Sequence, residues 1–101
     1  MQMLMIVFRS SLKERVDELL RDCDVRQFTE INEAVGQGQS GPAEGAQFYP
    51  GTNTIVLVAL DDAHVEKVAQ AVQAWCRQVE DHPGWQRPSI RVFAFPCTQI
   101  A

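Results

Sequence analysis

Two short runs of uninterrupted apolar residues constrain this chain most: Met3 to Phe8 and Ile55 to Leu60. Neither alternates with polar residues, so each reads as a strand buried on both faces. Each leads into a helical pattern. After the first, Leu12, Val16, Leu19, Leu20 and Cys23 fall on one helix face, while Lys13, Glu14, Arg15, Asp17, Glu18 and Arg21 take the other. Ser10 or Ser11 starts this helix, and Ser11 with Glu14 fits a capping box. Cys23 reads as a small core residue at its end. After the second run, Asp61 or Asp62 caps a helix whose buried stripe is Val65, Val68, Ala69, Val72 and Cys76. That helix reaches about Glu80 and ends at Pro83-Gly84.

Two further strands are less apolar. Asp24 turns the chain into one from Val25 to about Val35, with Arg26, Gln27, Glu30, Asn32 and Glu33 along it. Such charge suits a sheet edge, where it discourages unwanted pairing. The other runs from Ile90 to Phe95 and stops at Pro96. The order is βαββαβ, which gives an α+β, ferredoxin-like arrangement: a four-stranded antiparallel sheet with two helices on one face. The first and third strands are then central and the second and fourth are edges. Two helices cover only one sheet face, yet the central strands are apolar on both. The second face therefore calls for a cover from another subunit, or is left partly exposed.

Between the second and third strands lies a glycine-rich stretch, Gly36-Gln37-Gly38-Gln39-Ser40-Gly41-Pro42-Ala43-Glu44-Gly45. A large flexible loop at about 36–50 is expected, and loops of this length are usually functional or disordered. Gly36 and Gly38 would let backbone N–H groups approach an anion closely. The 101 residues form one domain in this reading. A net charge of −4 argues against nucleic acid as a partner. No segment is long and apolar enough for membrane insertion. Three irregularly spaced cysteines, Cys23, Cys76 and Cys97, do not make a disulfide framework, which points to a reducing cytoplasm.

Several stretches together resemble the P-II signalling family. Thr29-Glu30 followed by Gly36-Gln37-Gly38 is similar to the start of that family's ligand-sensing T-loop, with two extra residues intervening. Phe48-Tyr49-Pro50 leads into the third strand and Val58-Ala59-Leu60-Asp61-Asp62 leaves it, as in the family. Val65-Glu66-Lys67-Val68 with Ala71-Val72, and Arg91-Val92-Phe93-Ala94-Phe95-Pro96, resemble its second helix and last strand. The resemblance implies a homotrimeric, non-catalytic regulatory protein that binds an adenine nucleotide between subunits. By position it implies ligand contacts from Thr29, Gly36, Gly38, Gln39, Ser40 and Arg91. Arg91 stands where the family has a phosphate-binding lysine, and a guanidinium also binds phosphate.

The departures shape the expectation. Asp81-His82-Pro83-Gly84-Trp85-Gln86-Arg87-Pro88 replaces the family's glycine-rich phosphate loop, so AMP or ADP is favoured over ATP. Gln39 and Ser40 follow Gly38 where better-known members have Arg and Gln. The modifiable tyrosine of the loop tip has no counterpart, and Tyr49 sits at the loop root. A divergent member is implied, with a small anion such as bicarbonate as second ligand and a transporter or enzyme as regulated partner. No cofactor is expected to be tightly bound. Two alternatives stay open. One is a metal-binding trimer, of the CutA type or associated with metal efflux, with His82 and Cys97 as ligands. The other is a small dimeric ferredoxin-like enzyme, although no nucleophile, base and orienting acid assemble from adjacent signals. Packing is the expected role of Trp75 and Trp85.

Overall fold

The computed structural model describes residues 1–36 and 51–101. The expected loop at 36–50 lies outside the described residues except for Gly36. Strand β1 (Gln2–Arg9) leads through a 3₁₀ turn (Ser10–Leu12) into helix α1 (Lys13–Asp22). Strands β2 (Thr29–Gly36) and β3 (Gly51–Leu60) follow, then helix α2 (Asp62–Glu80) and strand β4 (Ile90–Pro96). The sheet order is β2-β3-β1-β4 with every pairing antiparallel. The two apolar runs are the central strands, and the two more polar ones are the edges. This is the ferredoxin-like α+β fold.

Register assigns each residue to a face. Ile6 pairs with Val56 and Val92, and Phe8 with Thr54 and Ile90. Leu4, Ile6, Phe8, Val56 and Ile90 form a core with Val16, Leu19 and Leu20 of α1 and Val65, Val68, Val72, Trp75 and Cys76 of α2. The alternate residues face the other way: Met3, Met5 and Val7 on β1, Leu57 and Ala59 on β3, Phe93 and Phe95 on β4. Across most of this face the apolar side chains are only partly covered, and Ile31 and Phe95 are 44% and 46% exposed. Toward Asn53 it closes, with Val7 and Asn53 fully buried.

The ends of the elements follow local chemistry. Asp61 caps α2: its carboxylate accepts the His64 backbone N–H at 2.8 Å. α1 starts differently from the capping box expected at Ser11 and Glu14. No side chain caps it, and the 3₁₀ turn intervenes. Ser10 instead meets Thr54 through their hydroxyls at 3.0 Å, which ties the turn to β3. The other end of α1 closes as a Schellman motif. The Asp24 N–H donates to the Arg21 carbonyl and the Val25 N–H to the Leu20 carbonyl, with Asp24 left-handed at φ 61°. This explains why β2 begins at Thr29 and not at Val25. The Val25 backbone is used to close the helix, and its side chain is buried in the core.

β2 contains one irregularity with no forewarning in the sequence. Ile31 pairs with Ile55 but Ala34 with Asn53, so one extra residue is accommodated as a bulge. Glu33 takes it up at φ 61°. Beyond the bulge the ladder continues to the pair Gly36–Gly51, so β2 ends close to the expected Val35 while β3 starts earlier than the expected Ile55. Gly51 has φ 97°, a conformation that glycine adopts without strain.

Candidate functional site

The bulge, the pleat and the sheet order together decide where the sequence-predicted residues stand. Glu30 turns toward α1, where it lies 3.4 Å from the Lys13 ammonium. Thr29 and Ile31 therefore turn to the sheet face without helices. Arg91 pairs with Val7 and faces the same way. Thr29 is on edge strand β2 and Arg91 on edge strand β4, so β3 and β1 lie between them. That separation is three strand spacings, roughly 14 Å. Within one chain these two residues share a face but do not meet. Gly36 ends β2 further along the same edge as Thr29. Gly38, Gln39 and Ser40 lie outside the described residues.

Thr29 lines an open cleft of ≈ 550 Å³ with Met3, Gln27, Phe28, Leu57, Val58 and Ala59. Its walls are mostly apolar, and the Thr29 hydroxyl and Gln27 carboxamide supply donors and acceptors. Such a mixture of apolar wall and few polar groups is typical of small-molecule sites. Phe28 and Gln27 were missed from the sequence. Their only signal was that they directly precede Thr29, at the end of a connection whose length depended on the unrecognised Schellman closure.

The segment between α2 and β4 forms a tight turn with one glycine. Gly84 is left-handed at φ 80°, and nothing approaches within 4 Å of where a side chain would start. Its freedom is used to make the turn and not to admit a close neighbour. The Trp85 N–H donates to the His82 carbonyl at 3.1 Å, and the two rings lie 4.8 Å apart. Trp85 is 63% exposed, against the packing role expected for it. Trp75 is packed, with the Arg15 guanidinium 5.5 Å above its ring.

The suggested metal ligands are not brought together. His82 follows α2 near the Ile90 end of β4, whereas Cys97 follows Pro96 at the other end, where its N–H donates to the Met1 carbonyl. Among the described residues no three His, Cys, Asp or Glu side chains cluster to hold a metal. Cys23 and Cys76 are buried, and burial pushes both thiols above their ordinary pKa. The Cys23 thiol donates to the Lys67 carbonyl at 3.9 Å, which fits a packing role. Among the described residues no helix is long and apolar enough to cross a membrane.

The model of the nitrogen regulatory protein P-II family matches residues 1–99. The chain belongs to the P-II family. Solved structures agree on the fold. The P-II-like protein CPII from Thiomonas intermedia K12, bound to ADP, AMP and bicarbonate, is 17% identical with a TM-score of 0.62, over 99% of this chain and 94% of that one. CPII bound to ADP and bicarbonate is 20% identical, with a TM-score of 0.60 over 93% and 84% of the two chains. A putative P-II-like signalling protein from Thermus thermophilus is 16% identical, with a TM-score of 0.60 over 93% of this chain and 83% of that one. No match to this P-II-family chain is found among curated protein sequences.

Proposed function

We propose that this P-II-family chain is a single-domain, non-catalytic regulatory protein that works as a homotrimer and binds an adenine nucleotide in its intersubunit clefts. AMP or ADP is the preferred nucleotide, with a small anion such as bicarbonate as companion. The observation that carries this reading is the position of Thr29 and Arg91 at opposite edges of one sheet face. A single cleft using both needs Arg91 from one copy and Thr29 from another. The partly covered apolar face supports self-association, because such a face is costly to leave in water. CPII, with the same fold, is bound to ADP, AMP and bicarbonate.

The Thr29 cleft receives the nucleotide, Gly36 and Gly38 let the backbone approach it, and Gln39 and Ser40 add polar contacts. Arg91 of the adjoining copy pairs with phosphate. One glycine in the turn before β4, spent on the turn itself, favours the shorter phosphate chains. Ligand binding changes the surface that the loop at 36–50 offers to a protein target such as a transporter or enzyme. Three free cysteines accord with a cytoplasmic setting. Calorimetric titration with AMP, ADP, ATP and bicarbonate tests this. Saturable heat with AMP or ADP, strengthened by bicarbonate, is expected, and no heat with any nucleotide at millimolar concentration contradicts it.

A further inference from the structure

A second concavity lies on the opposite side of the sheet, where α2 meets edge strand β4. It measures ≈ 220 Å³. Its walls are Val65, Ala69 and Val72 of α2 with Val92 and Ala94 of β4, and Gln73 and Arg87 stand as its polar groups. The notch exists because small side chains face one another there: alanine on the helix at 69 and on the strand at 94. Longer residues at either position would close it. Engineered apolar cavities of about 150 Å³ bind benzene, so this volume admits an aromatic ring or a branched aliphatic group.

The polar side is preorganised. The Arg87 Nη1 donates to the Ile90 carbonyl at 3.1 Å, which anchors the guanidinium beside the notch. Glu80 lies 3.9 Å from its Nε, too far for a tight pair. A guanidinium has five N–H donors, so donors remain after the backbone bond, and a carboxylate suits their geometry. Gln73 supplies a further N–H donor.

We propose that the α2–β4 notch is a second small-molecule site, for a monocarboxylate with a compact apolar body. The body enters between Ala69 and Ala94, and the carboxylate pairs with Arg87 in competition with Glu80. The site lies on the helix-bearing side, away from Thr29, Arg91 and the face assigned to subunit contact. It stands or falls independently of nucleotide binding.

Methyl-resolved NMR of the full chain during titration with benzoate tests it. The Val65, Val72 and Val92 methyls are expected to shift saturably in the millimolar range. Arg87→Met should weaken binding by about tenfold, as expected for a lost charge-assisted pair. Glu80→Gln should strengthen it severalfold by removing the competing carboxylate. Ala69→Leu should abolish it, while the unperturbed part of the spectrum verifies the fold and the ADP titration stays as in the unmodified protein. Absence of saturable shifts at these methyls overturns the proposal. So does binding that is indifferent to both Arg87→Met and Ala69→Leu.

Discussion

Glu30 of β2 lies 3.4 Å from Lys13 of α1, and Lys13 also holds Asp17 at 2.8 Å. Register against β3 sets which way the edge strand faces, and this contact accompanies it. With Glu30 turned to the helix, Thr29 and Ile31 join Met5, Leu57 and Phe93 on the other side. The pair itself contributes little energy at its exposure. The register has a geometric consequence: a partly covered apolar face with a candidate ligand residue at each edge.

A charge in the middle of that face should therefore disrupt assembly without disrupting the fold. Met5 is on central strand β1, opposite Leu57 and Phe93. Met5→Glu should give a folded monomer of 11.3 kDa, where the unmodified protein should show about three times that mass in light scattering. Unchanged circular dichroism accompanies the monomer. A variant with the same mass as the unmodified protein would place the interface elsewhere.

The bulge in β2 holds Glu33 at φ 61°, a region that costs a side-chain-bearing residue about 1–2 kcal/mol. Glu33→Gly removes that strain while loosening the unfolded chain, so it should be neutral or stabilising by up to about 1 kcal/mol. Glu33→Val should destabilise instead. Urea unfolding of the two variants checks both signs.

Leu20 is fully buried between α1 and the sheet and closes the Schellman turn with Val25. Leu20→Ala should cost about 2–5 kcal/mol in chemical unfolding. That is a large part of the about 5–15 kcal/mol available to a domain of this kind. The melting temperature should fall accordingly.

The pH dependence follows from the cap of α2. The backbone N–H of His64 first, then its ring, lowers the Asp61 pKa below its ordinary value of 3.8. A lowered folded-state pKa means that the cap's pH-linked stability is fully present above the unfolded value. It is lost as pH falls through the folded value. Thermal melts from neutral pH to below that range should show this loss, and Asp61→Asn, which caps without titrating, should show less of it.

The sequence revealed the fold through Met3 to Phe8 and Ile55 to Leu60, because strands without a polar face admit few positions in a small sheet. It revealed the α2 cap because Asp61 acts locally. It did not reveal the bulge at Glu33, which depends on register against Asn53, a partner some 20 residues away in sequence and set only by the assembled sheet. The α1 cap expected at Ser11 failed for a similar reason: Ser11 lies inside the 3₁₀ turn that Ser10 ties to Thr54 across the fold. Of the candidate site, the family resemblance pointed to Thr29 and Arg91, which stand at opposite edges of the sheet. Gln27 and Phe28 were not, because a cleft wall is defined by three-dimensional neighbours. Gly38, Gln39 and Ser40 lie outside the described residues.

The central claim is that nucleotide binding needs two copies of the chain. Calorimetric titration of ADP into the unmodified protein and into Met5→Glu tests it most directly, since Met5 is not among the residues lining the Thr29 cleft. Saturable binding to the unmodified protein and loss of binding in the folded monomer is the predicted result. A folded Met5→Glu monomer that binds ADP as tightly as the unmodified protein would contradict it.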